Sequence, residues 1–267
     1  MRIGKLILLS ILILNLTSCG PGNDGDNAGV AGDQIQDQSE LDVDANSVHP
    51  KILAASGGPW KKEWSETIAR AIDLHGANLL NHHISEVDLE AVNCLGYNQA
   101  SHSQKKQFWK VLFASVARYE SNYKSEKMKP RNYRDVIRSR QNKVPMGILQ
   151  LGTEATAHGQ GCSGANSAQW LLNPIRNLEC GVQIMNNQLS GGKSGRFTGV
   201  IGRIFPDRPR YEGSTIHHYY WSVLTYGDSC TPTSKGCRYG KKDRVIERVV
   251  EQLNLSENYE LFDFCHR

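Results

Sequence analysis

Hydrophobic and polar positions change their pattern sharply along the chain. Leu6 to Leu16 is an almost unbroken apolar run, interrupted only by Ser10 and Asn15. Arg2 and Lys5 precede it, and the run is too short to span a bilayer as a permanent helix; the layout is that of a secretory signal peptide over 1–18. Residues 20–50 carry almost no large apolar side chain, so the segment cannot bury enough surface to offset its chain entropy. It reads as a disordered tether, and the folded domain is expected over 51–267. There, helical spacing dominates. Trp60, Trp64, Ile68, Ala71, Ile72 and His75 predict one helix, stopped by Gly76. Ser103 is placed as the N-cap of a second, with Phe108, Val111, Leu112, Ser115 and Tyr119 on one face. A neighbouring stripe on that helix runs Trp109, Phe113, Val116, Glu120. Pro174 opens a third, burying Leu178, Val182, Met185 and Leu189 ahead of Gly191-Gly192. Asp243 to Leu253 predicts a fourth. Strand signals are sparse, with a small hairpin expected only within 125–150. The Gly- and Arg-rich stretch 190–215 (Arg196, Arg203, Arg208, Arg210) lacks a period and reads as a long loop, either gripping carboxylates or solvated. The expected class is therefore mainly α, in a single domain.

Charge divides along the same boundary. The tether holds seven carboxylates and no Lys or Arg; setting these aside, with Arg2 and Lys5, leaves 29 basic against 20 acidic residues in the domain, near +9, where the whole chain is +4. A basic body suits a polyanionic partner. Leu16-Thr17-Ser18-Cys19 resembles the lipobox of bacterial lipoproteins, which makes Cys19 the lipidated residue and the membrane a partner through that anchor. Gly20 in place of Asp after the Cys implies, by that resemblance, the periplasmic face of the outer membrane. Nucleic acid is then an improbable partner, and peptidoglycan fits the compartment. The remaining cysteines, Cys94, Cys162, Cys180, Cys230, Cys237 and Cys265, are an even set in an exported chain and read as disulfides. Six allow 15 connectivities. The expected pairing is local for Cys162–Cys180 and Cys230–Cys237, with Cys94–Cys265 clasping the domain's ends. No CxxC or HExxH spacing occurs, so neither a metal nor a cofactor is expected.

Glu120 is the candidate for chemistry. Steps of four, three and four residues place it on the face of Trp109, Phe113 and Val116. Desolvation there favours the protonated carboxyl, the form a glycosidase needs to donate a proton to a leaving oxygen. A Glu at a helix end that simply reaches solvent would show the same spacing.

Four segments change that balance. Arg118-Tyr-Glu120-Ser121-Asn-Tyr123 resembles the Glu-Ser motif of the Slt-type lytic transglycosylases and goose-type lysozymes. Pro145-Met-Gly147-Ile-Leu-Gln150-Leu151 is similar to their Gly-Leu-Met-Gln segment, and Leu171 to Gly181 to their Leu-x-Asp-Pro-x-x-Asn-Ile-x-x-Gly stretch. Tyr219-Tyr220-Trp221-Ser-Val-Leu224 lies where they carry Ala-Tyr-Asn. Four motifs in order, over roughly 105–226, are specific where each alone is weak. The resemblance implies a lysozyme-like fold with a substrate cleft. It implies Glu120 as general acid and then base at the bond between N-acetylmuramic acid and N-acetylglucosamine. Ser121 would set the position of Glu120, Gly147 would let backbone approach the sugar, and Gln150 would hydrogen-bond it. Tyr219 or Tyr220 would lie beside the Glu, with Tyr226 a further choice, and the Asn173–Asn177 segment would be structural.

The chain also departs from the family pattern. Thirty residues separate Glu120 from Gln150, more than is usual, and the insertion around Lys129–Lys143 is basic. A goose-type hydrolase would need further carboxylates; Glu126, Asp135 and Glu154 are the candidates, none at diagnostic spacing. Without one, a lytic transglycosylase is favoured over a muramidase cutting the same bond. A non-catalytic wall-binding lipoprotein is the rival from another class, disfavoured by the retained Glu120-Ser121 pair. The expected state is a monomer. Gly159-Gln-Gly-Cys-Ser-Gly164 spells a dinucleotide fingerprint but follows no strand. His82-His83 and His217-His218 are adjacent pairs that do not converge on one ion.

Overall fold

A computed structural model of the protein describes residues 48–127, 144–194, 197–206, 220–225 and 241–267. Helices α1 (Lys62–His75), α2 (Ala77–Asn81), α3 (Glu86–Ala91), α4 (His102–Glu120), α5 (Ala168–Leu172), α6 (Pro174–Leu189) and α7 (Lys241–Leu253) build a mainly helical fold, as the pattern predicts. Short 3₁₀ turns at Leu95–Gln99, Thr153–His158 and Ser256–His266 carried no helical period and were not foreseen. Cys19, tether residues 20–47, Cys230, Cys237, Asp135, Tyr219, Tyr226, Arg208, Arg210 and His217-His218 lie outside the described residues.

Helix α4 is the axis of the core. Both its predicted apolar stripes are buried except at half-buried Tyr119, because α1, α2, α7 and the C-terminal 3₁₀ segment all pack around it. Its N-cap is Ser101, not the expected Ser103. The Ser101 hydroxyl accepts from Gln104 N–H at 3.3 Å while the Gln104 carboxamide accepts from Ser101 N–H at 3.0 Å, a reciprocal box that Ser103 has no partner to make. Two of the three lysines of α4 are buried. Lys105 donates to the Leu80 carbonyl, and fully buried Lys110 donates to the Val48 carbonyl at 2.9 Å. Burial pulls the Lys110 ammonium down to about 8, with the like charge of Lys106 adding to it.

The packed body reaches back to at least Val48, three residues before the boundary expected at 51. Residues 48–60 form an arm laid along α7 and the C-terminus. Lys51 N–H donates to Asn258 Oδ1, Leu53 N–H to Gln252 Oε1, and Arg248 reaches the Leu53 and Ala54 carbonyls at 2.9 and 3.1 Å. The two expected disulfides within the described residues are present, Cys94–Cys265 and Cys162–Cys180.

Among the described residues a two-stranded pairing forms at β1 (Lys193–Ser194) and β2 (Phe197–Thr198), inside the stretch read as an aperiodic loop; of the range 125–150, where a hairpin is expected, residues 128–143 lie outside the described residues, and Met146 and Leu151 at its end form an isolated antiparallel bridge. Strands of two residues are too short to show alternation, which is why the pattern missed them. The loop's Arg203 is also not a free cation for substrate carboxylates. Buried Asp88 takes its guanidinium at 3.0–3.2 Å and accepts from Ile204 and Phe205 N–H, pinning the loop to α3.

Candidate active site

Glu120 is the last residue of α4 and only 8% exposed. The chain turns immediately behind it. Ser121 is fully buried, and its hydroxyl donates back to the Ala117 carbonyl at 3.2 Å, so it closes the helix end rather than facing a substrate. Asn122 and Tyr123 then take left-handed backbone, φ 61° and 64°. Each costs an L-residue roughly 1–2 kcal/mol. Asn tolerates that region; Tyr does not, and the surrounding contacts must hold it there.

The second segment folds into a six-residue turn. Met146 and Leu151 exchange both backbone hydrogen bonds at 2.9 Å, with Gly147 at φ 75° and Gln150 at φ 53° inside it. The glycine is required from within the protein. A Cβ at Gly147 would stand 2.2 Å from the Leu171 carbonyl oxygen and 2.5 Å from Asn177 Nδ2, so the expected close approach to a sugar is not what excludes a side chain here.

Fully buried Asn177 on α6 organises this turn. Its Oδ1 accepts from Leu149 N–H at 2.9 Å, and its Nδ2 donates to the Met146 and Leu171 carbonyls at 3.1 and 2.7 Å. Asn173, at the start of the same helix, caps it through the Ile175 and Arg176 N–H groups. The Asn173–Asn177 segment is thus structural, and Asn177 supports the site directly from behind.

One backbone carbonyl ties the two segments together. Lys127 C=O accepts from Gly147 N–H and from Gln150 Nε2, each at 2.9 Å, while Lys127 Nζ donates to the Glu120 carbonyl at 3.3 Å. Gln150 Nε2 also donates to Gly147 C=O at 2.7 Å. The Gln150 amide nitrogen is therefore committed to the turn, and its Oε1 is buried without a partner among the described residues. Lys127 was not foreseen, because its part is played by backbone and no side-chain motif marks it.

The Tyr220-Trp221 pair braces the far side. Buried Trp221 donates from Nε1 to the Leu149 carbonyl at 3.1 Å and packs edge-on against Phe113 of α4. The Tyr220 hydroxyl accepts from Gly152 N–H at 3.0 Å, and its ring meets His158, whose imidazole burial pulls down to about 4. Of the two tyrosines first considered, Tyr220 joins the turn's exit, and Tyr219 lies outside the described residues.

The candidate second carboxylates part company. Glu126 is exposed and accepts from the Ser125 hydroxyl. Glu154 folds over Gly152, where a Cβ would meet its Oε2 at 2.2 Å, and that oxygen is buried without a partner among the described residues. Asp135 lies outside the described residues. Among the described residues no three His, Cys, Asp or Glu side chains gather as a metal site would need.

Residues 97–200 match the model of the transglycosylase SLT domain. Among solved structures the chain is similar to DslA. The wild-type form 2 and one glutamate-to-glutamine mutant each share 26% identity and a TM-score of 0.52, covering 77% of this chain and 97% of theirs. A second such mutant matches at 25% identity with the same score and coverage. A search of curated proteins returned no match. The family match spans α4, the 146–151 turn and α6, the elements that Lys127 and Asn177 link by hydrogen bonds.

Proposed function

The chain carries a transglycosylase SLT domain with a lysozyme-like fold, a module that acts on peptidoglycan, and from this we propose that the protein is a lytic transglycosylase whose general acid and base is Glu120. The bond cut is the β-1,4 linkage between N-acetylmuramic acid and N-acetylglucosamine. One observation carries the reading: the mostly buried Glu120 ends α4 where Lys127 C=O joins its turn to the Gly147–Gln150 turn.

The Glu120 carboxyl gives its proton to the glycosidic oxygen as the bond to the muramoyl C1 breaks. The resulting carboxylate then takes the proton of the muramoyl 6-hydroxyl, whose oxygen closes on C1 to leave a 1,6-anhydro end. The substrate's own N-acetyl group assists at C1. Gln150 Oε1 is the acceptor offered to a sugar hydroxyl. Tyr220 braces the Gly152 end of the turn. Water attacking in place of the 6-hydroxyl would make the protein a muramidase; the unpartnered Glu154 oxygen beside Gly152 is the observation favouring that second reading. Export, lipidation at Cys19, placement at the outer membrane and a monomeric state complete the proposal and rest on the sequence.

The test is release of soluble fragments from purified sacculi by the wild-type protein and Glu120→Gln. General acid–base catalysis contributes about 10²–10⁴-fold, so the variant should lose activity on that scale while still sedimenting with sacculi. Undiminished release by Glu120→Gln contradicts the assignment.

A further inference from the structure

The left-handed pair behind Glu120 needs a cause outside its own residues, and the structure supplies one far away in sequence. The arm 48–60 turns back on itself at Ala55–Gly58, where the two residues exchange backbone hydrogen bonds at 2.9 and 3.1 Å and Gly58 takes φ 121°. The tip of that turn sits on the turn that follows Glu120. Asn122 Nδ2 donates to the Ser56 hydroxyl at 2.6 Å. A Cβ at Gly57 would stand 1.8 Å from the Asn122 carbonyl oxygen, so the two backbones are in direct contact. Tyr123, 3% exposed, donates to the Leu53 carbonyl at 3.4 Å and meets the Trp60 ring edge-on at 5.3 Å. The arm touches both strained residues.

The arm is itself fixed to the core. Asn258, fully buried, donates to the Lys51 carbonyl at 2.9 Å and accepts from its N–H. Gln252, also fully buried, joins Leu53 to Ser115 of α4 through its two ends, and Arg248 holds the Leu53 and Ala54 carbonyls. These contacts form a continuous path from the middle of α4, out along the arm and back to the end of α4 where Glu120 stands. The arm lies outside residues 97–200, so the family domain does not include it.

We propose that the arm turn 55–58 is a positioning element for Glu120, with Gly57 and Ser56 acting through Asn122 and Tyr123 to hold the carboxyl in register with the 146–151 turn. This rests on the reading of Glu120 as the acid. Strained backbone beside a reacting group persists only where neighbours over-determine it, and a small displacement of such a group costs rate rather than binding.

The experiment compares Gly57→Ala, Ser56→Ala and Glu120→Gln in the full-length protein on solubilised glycan strands, recording kcat, KM and the pH–rate profile. Gly57→Ala should lower kcat at least tenfold and Ser56→Ala a few-fold, with KM unchanged and the acid limb of the profile shifted. Ser56→Ala removes one hydroxyl at an exposed position, so it keeps the test open if Gly57→Ala does not fold. Unchanged kcat and pH profile in Ser56→Ala and in folded Gly57→Ala overturn the inference. So does a loss of activity that only tracks the fraction folded while the profile stays put. Activity retained by Glu120→Gln overturns the catalytic reading instead, and the two failures are distinguishable in one set of data.

Discussion

Replacing Asn177 by Ala isolates the support behind the candidate site. The substitution removes one acceptor and two donor contacts; Leu149 N–H and the Leu171 carbonyl lose their partner, while the Met146 carbonyl keeps the Leu151 N–H. A buried polar group left unsatisfied costs about 1–3 kcal/mol, and water entering the vacated space recovers part of it. Two such groups bring the expected loss to about 2–4 kcal/mol, a large share of the roughly 5–15 kcal/mol that holds a domain folded. Asn173→Ala is the internal control: it lies on the same helix and removes a cap made at the exposed end, for a loss of about 1 kcal/mol. Urea unfolding with the disulfides intact should show a lower midpoint at unchanged slope for both variants, with Asn177→Ala far lower. Its kcat should fall as well, because the turn carrying Gly147 and Gln150 loses its anchor. An Asn177→Ala midpoint no lower than that of Asn173→Ala refutes the reasoning.

Buried ionisable groups set further expectations. The His158 imidazole, held down from 6.5 to about 4 by burial, stays neutral in the folded protein while the unfolded chain protonates. Stability therefore falls as pH drops from about 6.5 to about 4, by up to about 3 kcal/mol, and His158→Gln should flatten that part of the stability–pH curve; an unchanged curve would refute the effect. Lys110, with its ammonium lowered to about 8, makes the folded state release a proton the unfolded chain keeps up to 10.5, so stability should rise from about pH 8 to 10.5. Lys110→Met should remove the rise, as seen in denaturant midpoints across that range. Of the two described disulfides, Cys94–Cys265 closes 171 residues and Cys162–Cys180 closes 18. Loop-closure entropy makes them worth about 5 and 3 kcal/mol; paired Cys→Ala variants should lose Tm in that order.

Much of this architecture was legible in periodicity. Helices α1, α4, α6 and α7 each bury a stripe at helical spacing, and the two cysteine pairs within the described residues are those expected from spacing and position. What was hidden has a common physical character. Lys127 acts through a carbonyl, and every residue has one. Asn177 and Gln150 spend their side chains on backbone groups, so a motif names them without saying which way they face. The Asp88–Arg203 pair joins positions 115 apart, and the arm 48–60 is tied by hydrogen bonds to residues about 200 positions away, so no local window reveals either. Gly147 shows how an expected glycine can carry a different reason: its missing Cβ makes room for Leu171 and Asn177 inside the protein.

The most direct test of the central claim is the chemistry of the products. Mass spectrometry of muropeptides released from purified sacculi by the wild-type protein, beside Glu120→Gln, should show fragments ending in 1,6-anhydromuramic acid with the first and none with the second. Fragments ending in reducing muramic acid, or the same anhydro products from Glu120→Gln, would contradict the account.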